Sequence, residues 1–388
     1  MSVDPRRRRV VMLLDNEYSP DPRVSREAAA LSQAGWRVRI VCWDRDGLAP
    51  KYEAENGVEV IRITTRSPRQ LGLRQMWNLG RFLHRVWRRR REIFDSQTSV
   101  IHCHDLLMLP LGVRVKKWMA GRSRLIYDAH EIYSLMEAHR YPAFLLDLVA
   151  HQEARMVNRH ADAFVTVSEQ RVRGYWSKRI AGPPITVCGN WYDPREATPQ
   201  QKSQQRKRLG VPQDAFCIGC VGSLLQNRCT GILAEAVQKI DGVYAVIGGR
   251  ETKAAQVSAW AKKCSRIKYL GWVDEPWEVY DACDALFYVM DKNHPYTRFN
   301  SPNTAYAALA SRLPLITGPE GEAGEIVERT GWGEIVSENT ARAMCDAIER
   351  LMSRDLRQTS VELESLRSAL TWETAARRLV AAYDEVTR

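Results

Sequence analysis

The sequence contains no run of about eighteen apolar residues, the length a helix needs to cross a bilayer, so no segment reads as a transmembrane span. It also lacks an apolar signal region: Met1 to Arg9 is basic, shows no small-residue cleavage site and leads straight into a short strand. The expected location is therefore the cytoplasm, with the inner face of the membrane as a peripheral alternative. The nine cysteines form no disulfide framework, which fits a reducing compartment. Cys217-Ile-Gly-Cys220 is formally C-x-x-C, but it lies in an apolar run with no second pair and no histidine at metal spacing, so it reads as packing. No G-x-G-x-x-G opens the first helix, which argues against a nicotinamide oxidoreductase. Repeats, low-complexity tracts and nucleic-acid reading motifs are absent, and no nucleic-acid partner is expected.

The length of 388 residues suggests two domains of about 180 each. The net charge of +11 is uneven: residues 1–180 hold 32 Lys and Arg against 20 Asp and Glu, whereas 181–388 hold 25 against 26. Only the first half is built to meet a polyanion. Its basic centre is Arg66 to Arg91, where Arg66, Arg69, Arg74, Arg81, Arg85, Arg88, Arg89, Arg90 and Arg91 occur without one acidic residue. Leu71, Leu73, Met76, Trp77, Leu79, Phe82, Leu83, Val86 and Trp87 are interleaved at roughly helical spacing. A basic helix with tryptophans on its apolar side suits an anionic membrane surface, where each cation contributes on the order of 1 kcal/mol. The same pattern also describes a solvated arginine face whose other side packs on a sheet.

The pass along the chain gives an α/β architecture of doubly wound parallel sheets. Strands are expected at Arg9–Asp15, Arg37–Trp43, Val58–Ile63, Val100–His104, Leu125–Tyr127, Ala161–Ser168 and Ile185–Val187, then at Phe216–Val221, Tyr244–Ile247, Ile267–Leu270 and Leu315–Thr317. The run Val279–Val289 supplies a helix end and a strand, and Gly331–Val336 is a further short segment. Helices are expected at Val24–Ala34, Ala305–Leu313, from near Glu325, at Thr340–Met352, at Arg357–Leu370, and from Thr371 to Val386. Two loop-to-helix junctions, Ser301-Pro302-Asn303-Thr304 and the Gly-rich Gly318 to Gly324, flank the strand Leu315–Thr317. Their unpaired N–H groups and positive dipole ends suit phosphates. His102-Cys103-His104-Asp105 ends a strand, where open α/β sheets gather ligands, but a third metal ligand is missing and no metal is expected.

The segment from His294 to Val327 resembles the donor-site signature of retaining GT-B glycosyltransferases, whose members carry Ser-Pro-Asn-Lys, then Glu-Ala-Met-Ala-x-Gly-x-Pro, a Gly-rich loop and Glu-Ile-Val. Ser301, Pro302, Asn303, Ala308, Ala310, Pro314, Glu325, Ile326 and Val327 agree with it. Thr304 stands in place of Lys and Arg312 in place of Gly, while Phe299 and Ala307 occupy the positions of the family's acidic pair. "His-Asp … Tyr-Asp-Ala-His-Glu" from His104 to Glu131 resembles the same family, and Cys188 to Asp193 its turn closing the first domain. The resemblance covers nearly the whole chain.

It implies two Rossmann-like domains facing a cleft: residues 1–193 for the acceptor, 194–370 for the nucleotide sugar, and a crossover helix over 371–388 packing on the first domain. His130 and Arg228 would be the catalytic groups. An imidazole with a pKa near neutrality can exchange hydrogen bonds with a sugar, and a guanidinium can stabilise a leaving diphosphate. The donor side would comprise Gly222, Asn227, Gly248, Trp272, Val273, Ser301, Pro302, Asn303, Thr304, Gly321, Glu322, Ala323 and Gly324. The acceptor side would comprise Asn16, Glu17, Arg23, His104, Asp105 and Glu131, with Asp21, Arg23 and Val24 matching the family's Asp-x-Arg-Val. Ser223 takes the place of a second basic donor residue. The implied activity is sugar transfer from a nucleotide-diphosphate sugar, without metal or cofactor, to a lipid-linked or anionic glycan in surface polysaccharide or glycolipid assembly. Two readings remain beside it: an inert homologue that supports a partner transferase, and an enzyme whose apolar Phe299 pocket takes a different donor.

Overall fold

The computed structural model describes residues 8–18, 21–67, 72–355 and 358–388; Ser19, Pro20, Arg69, Leu71, Arg357 and the Leu73 side chain lie outside what is described. The chain divides into two compact units, Met1–Gly189 with Glu373–Arg388, and Asn190–Trp372. Among the described residues no helix is long and apolar enough to cross a membrane.

In the first unit the strands β1 (Arg9–Leu13), β2 (Arg37–Asp44), β3 (Tyr52–Glu55), β4 (Val58–Thr64), β5 (Thr98–His104), β6 (Arg124–Ala129), β7 (Ala163–Thr166) and β8 (Ile185–Val187) form one sheet in the order β3-β4-β2-β1-β5-β6-β7-β8. All neighbours pair in parallel except β3 with β4. Val10, Val11, Met12 and Leu13 are fully buried, as a strand covered on both faces requires. The helices are α1 (Pro22–Gln33), α2 (Leu73–Arg88), α3 (Arg90–Ile93), α4 (Leu109–Trp118), α5 (Tyr133–Met136), α6 (Ala143–His160) and α7 (Glu169–Gly174). Asp21 caps α1 by accepting from the Val24 N–H at 3.1 Å, with Pro22 in the first turn where its missing N–H costs nothing.

The apolar side of the arginine-rich segment mostly faces the protein. Leu79, Phe82 and Val86 are buried, and Phe82 stacks on Trp43 with ring centres 5.4 Å apart. Trp87 meets the edge of Trp118 and lies under the guanidinium of Arg114, whose Cζ is 3.9 Å from the ring centre. Among the described residues of this segment, Met76 and Trp77 in the first turns of α2 are the large apolar groups left exposed. A C-terminal helix, Trp372–Thr387, buries Ala375, Leu379, Ala382 and Tyr383, and Tyr383 meets Trp36 edge-on at 5.2 Å.

The second unit has a sheet of β9 (Phe216–Val221), β10 (Val243–Gly248), β11 (Ile267–Tyr269), β12 (Ala285–Tyr288), β13 (Leu315–Thr317) and β14 (Gly333–Ile335), ordered β11-β10-β9-β12-β13-β14 and parallel throughout. Its helices are α8 (Pro199–Leu209), α9 (Thr230–Lys239), α10 (Ala254–Lys263), α11 (Trp277–Tyr280), α12 (Asn303–Ser311), α13 (Gly321–Thr330), α14 (Ala341–Met352) and α15 (Val361–Ala369). Two boundaries in the donor-type segment differ from the sequence expectation. The helix expected near Glu325 begins four residues earlier, so half of the Gly-rich segment belongs to α13. The helix expected over Ala305–Leu313 runs from Asn303 to Ser311 and is capped by Arg312, which adopts φ 52°. That left-handed position suits glycine, and the Arg312 side chain is held there by Glu364, with contacts of 2.6 and 2.8 Å.

One close approach in the first unit fixes how α4 lies on the sheet. A Cβ at Gly112 would stand 2.1 Å from Cys103 Sγ and 3.0 Å from Leu125 Cδ1. Gly112→Ala is therefore expected to destabilise the protein by about 1–3 kcal/mol through overpacking. Adding Cys103→Ala should recover much of that loss, and urea unfolding midpoints of the single and double variants check it.

Candidate active site

In the first unit, β5 and β6 end side by side, and their last residues project charged groups onto α1. Arg23 of α1 lies with Nη2 3.2 Å from Asp128 Oδ2 and Nε 3.0 Å from Glu27 Oε1, while Nη1 donates to the Cys188 carbonyl at 2.8 Å. Asp128 and Glu27 are fully buried. His130 sits between two carboxylates, with Nε2 3.0 Å from Asp128 and Nδ1 3.7 Å from Asp105. Asp105, at φ 62°, accepts from the backbone N–H groups of His130 and Glu131 at 2.9 and 3.0 Å. His104 Nδ1 lies 3.3 Å from His130 Nε2, and His104 stacks on His102 at 4.2 Å. Thus Arg23, His104, Asp105, His130 and the Glu131 backbone come together. Asn16 holds the entrance of α1, donating to Asp21 at 2.7 Å, and Glu17 follows it in the same loop.

The electrostatics change the role expected of His130. Burial opposes the charged imidazole, but Asp128 and then Asp105 outweigh it and raise its pKa to about 9. Burial lifts Asp105 to about 7 in spite of His130. Burial also pushes His104 well below its usual range, with the charges of His102 and His130 acting in the same direction. Asp128 is held well below the carboxylate range because Arg23 and His130 overcome its burial. At neutral pH His130 is thus a fixed cation and hydrogen-bond donor rather than a base. Glu27, His102, His104 and Asp128 bring ligand-type atoms within 4.8 Å of one another, but the Arg23 guanidinium already supplies the positive charge among them.

In the second unit the donor-type residues line the carboxyl edge of the sheet. Gly248 ends β10 where a Cβ would come 2.5 Å from Val273 Cγ2, so glycine lets Val273 close over the strand end. Trp272 is part-exposed, its Nε1 donating to Asp274 at 2.6 Å and Arg250 lying over its ring at 5.2 Å. At the start of α12, Ser301 Oγ donates to Glu322 at 2.7 Å and Tyr306 OH donates to the same oxygen at 2.6 Å. The N–H of Glu322 donates to the Asn300 carbonyl at 3.1 Å, so this amide is not open to a ligand. Pro302 and Ala323 line a small pocket with Tyr288, Asn300, Thr317 and Gly318. Asn303 and Thr304 form the first turn of α12, and Gly321 and Gly324 the first turn of α13. Ala307 is buried within α12.

Arg228 stands apart. It is 4% exposed, yet its guanidinium meets the Cys220 side chain, the carbonyls of Val221, Ser223 and Phe287 at 3.4 to 3.5 Å, and the Tyr288 ring at 4.7 Å. Contacts this long are weak. The other buried arginines each face a carboxylate: Arg9 with Asp95, Arg23 with Asp128, Arg62 with Glu53, Arg171 with Glu131, Arg206 with Asp284 and Arg367 with Glu196. Among the described residues Arg228 has no such partner. Asn227 lies beside it, its carbonyl accepting from Asp291 N–H at 2.8 Å, and Gly222 at φ 130° leaves the space that Arg228 Nη1 approaches. Sequence reasoning does not find Asp128 as the pivot of the first cluster, nor Glu27 and Tyr306; the buried Arg23-Glu27 pair at i, i+4 looks on paper like a surface ion pair.

The raised His130 pKa is open to measurement. The ring should be protonated at neutral pH and titrate near 9 in histidine-selective NMR, and both Asp128→Asn and Asp105→Asn should lower that midpoint, the former more. Because the folded value lies above the ordinary 6.5, the stability it contributes is complete below that value and is lost as the pH rises through about 9.

Comparison with known proteins fits this geometry. Residues 20–191 match the Glycosyl transferase 4-like domain and residues 215–354 match Glycosyl transferases group 1. The D-inositol 3-phosphate glycosyltransferase of Stackebrandtia nassauensis is 24% identical over 261 residues, 61% of this chain and 55% of the relative. The succinoglycan biosynthesis protein ExoL of Rhizobium meliloti is 23% identical over 238 residues, 58% of this chain and 54% of the relative. The chain thus spans about half the length of the curated relatives it matches. Among solved structures, sucrose-phosphate synthase from Thermosynechococcus elongatus aligns with a TM-score of 0.76 at 17% identity, covering 98% of this chain and 99% of that one. Anabaena HepE, in complex with UDP and glucose, aligns at 0.72 and 16% identity, covering 97% and 99%. With a matching domain model in each half and a matching fold along nearly all its length, the chain belongs to the GT-B glycosyltransferases.

Proposed function

We propose that the protein transfers a sugar from a nucleotide-diphosphate sugar to an acceptor glycan that is lipid-linked or anionic, with retention at the anomeric carbon and without a metal or cofactor. The second unit binds the donor and the first supplies the acceptor side. The observation that carries the reading is the unpaired buried charge of Arg228. A guanidinium kept from water without an anion is costly, and a diphosphate at the ends of β9 and β12 would remove that cost. The anomeric C–O bond to the β-phosphate breaks, the acceptor hydroxyl oxygen forms the new glycosidic bond, and its proton leaves with the diphosphate. Arg228 and the first turns of α12 and α13 stabilise the charge that builds on that leaving group. His130, held as an imidazolium, donates to a sugar oxygen rather than taking a proton.

The relatives support the donor and acceptor classes: HepE carries UDP and glucose, and ExoL is named for succinoglycan biosynthesis. The basic first half favours an anionic acceptor or the membrane that holds it. A second reading, an inert homologue that supports a partner transferase, draws on Ala307, which places no carboxylate in α12 where the family has its second acidic residue.

Calorimetric titration with UDP and with a panel of nucleotide sugars tests the assignment. The wild type should bind, and Arg228→Ala should weaken binding by about ten- to a hundredfold, as expected for losing a charge-assisted hydrogen bond of about 1.5–3 kcal/mol. Equal affinity in the variant would remove Arg228 from the donor site. Binding without turnover on any lipid-linked or anionic glycan would favour the inert reading.

A further inference from the structure

A second cation shares the Arg228 loop. In the second sheet β9 lies between β10 and β12, so the chain leaving its carboxyl end is met from both flanks. On the β12 flank Arg228 forms an isolated antiparallel bridge with Met290, the Asp291 N–H donates to the Asn227 carbonyl at 2.8 Å, and the Arg228 guanidinium lies over the Tyr288 ring. On the β10 flank the Leu224 N–H donates to the Arg250 carbonyl at 2.8 Å, and the Lys253 N–H donates back to the Leu224 carbonyl at 2.9 Å. The two loops are pressed together: a Cβ at Gly249 would stand 2.0 Å from the Gly222 carbonyl oxygen. Lys253, at the start of α10, is thereby fixed beside Arg228, although 25 positions separate them in the chain.

Among the described residues the Lys253 ammonium pairs with no carboxylate, and its Nζ donates to the Arg228 carbonyl at 2.8 Å. Lys116 and Lys202 show the alternative, each 2.6 Å from an aspartate. The Arg228 carbonyl also accepts from the Thr230 N–H at 2.9 Å, so it stays satisfied if the ammonium turns away. Burial raises the Cys229 thiol and the Lys253 charge pulls it back down, which sets the ammonium close to that side chain. Asp291 acts on the same thiol, but its carboxylate accepts from the Asn293 N–H at 3.0 Å. Arg228 and Lys253 therefore bring two positive charges to one strand end, and among the described residues neither is paired with a negative one.

We propose that Lys253 is a second ligand of the donor diphosphate, its ammonium leaving the Arg228 carbonyl for a phosphate oxygen when the nucleotide arrives. A diphosphate carries more than one negative charge, and a single guanidinium leaves part of it unmatched. Arg228 offers a planar fork and Lys253 a point charge on a flexible stem, so the two can take phosphate oxygens from opposite flanks of β9. Only the stem has to turn, because the main chain of Lys253 is already held on Leu224. With Ser223 at its start, the loop after β9 carries Arg228 as its one cation, and Lys253 supplies the second from the loop after β10. The inference rests on the proposed donor site, whose charge balance it completes.

Titration of the full chain with UDP, GDP and dTDP, and with the parent nucleoside of whichever binds most tightly, tests it by calorimetry and ligand-observed NMR. Lys253→Met should weaken binding of that diphosphate by about tenfold or more, leave binding of the nucleoside unchanged, and flatten the dependence of diphosphate affinity on salt. Lys253→Arg should restore most of the loss. A residue that merely braces the loop would instead lower the melting temperature and weaken nucleoside and diphosphate together; that result overturns the proposal, as does unchanged diphosphate affinity in Lys253→Met. A wild type that binds none of the ligands would remove the donor site and this inference with it. Diphosphate binding that responds to Arg228→Ala but not to Lys253→Met would remove Lys253 alone.

Discussion

The first unit depends on one buried ion pair, Arg23 with Asp128. Both groups are removed from water, and the desolvation penalty of two such charges amounts to several kcal/mol per ion. It is offset because each charge has more than one partner: Arg23 also reaches Glu27 and the Cys188 carbonyl, and Asp128 also faces His130. The pair thereby ties α1, the end of β6 and the segment after β8 together, and only within that frame does His130 keep its proton. The carboxylates that stabilise the imidazolium also hold its ring in place, so charge and geometry have a single cause. Tyr383 extends the frame to the C-terminal helix through its hydroxyl on His102 Nδ1.

The second unit is organised by the opposite condition. Its buried cation, Arg228, is enclosed by carbonyls and an aromatic ring but meets no anion. The other buried arginines among the described residues each meet a carboxylate, as Arg206 meets Asp284 at 2.5 Å beside the Ala282 carbonyl at 3.0 Å. A guanidinium already facing a carboxylate has little to offer a second anion, whereas one without a counter-ion gains most when an anion arrives. One chain thus holds buried arginines that meet a carboxylate and one that does not, a distinction residue type alone does not make.

Much of this was legible in the sequence because it follows from period and punctuation. Continuous apolar runs such as Val10 to Leu14 gave the parallel strands, and Ser301-Pro302-Asn303 marked a helix start. His130 stood out through the resemblance of the order from His104 to Glu131 to the family, not through any local pattern. What stayed hidden lacked a local signal. The strand Tyr52–Glu55 is exposed on every residue, so no alternation betrays it. Helix α6 carries apolar residues on the wrong face for its first two turns, which blurs the 3.6-residue period that would identify it. The early start of α13 is obscured because its glycines read as loop, although Gly321 and Gly324 lie within the helix. The protonation of His130 was hidden most completely, since it depends on Asp105 and Asp128 arriving from two different strands.

Three placements in the chain run against intrinsic preference: a carboxylate at 0% exposure, a guanidinium without a counter-ion and a phenylalanine facing outward. Such placements persist only where neighbouring groups compensate, or where something outside the chain does. Asp128 and Glu27 are compensated internally, by Arg23, and so belong to the fold. Arg228 and Phe144 find no equivalent among the described residues. A diphosphate at that strand end, as the proposed function has it, would supply the anion that Arg228 lacks.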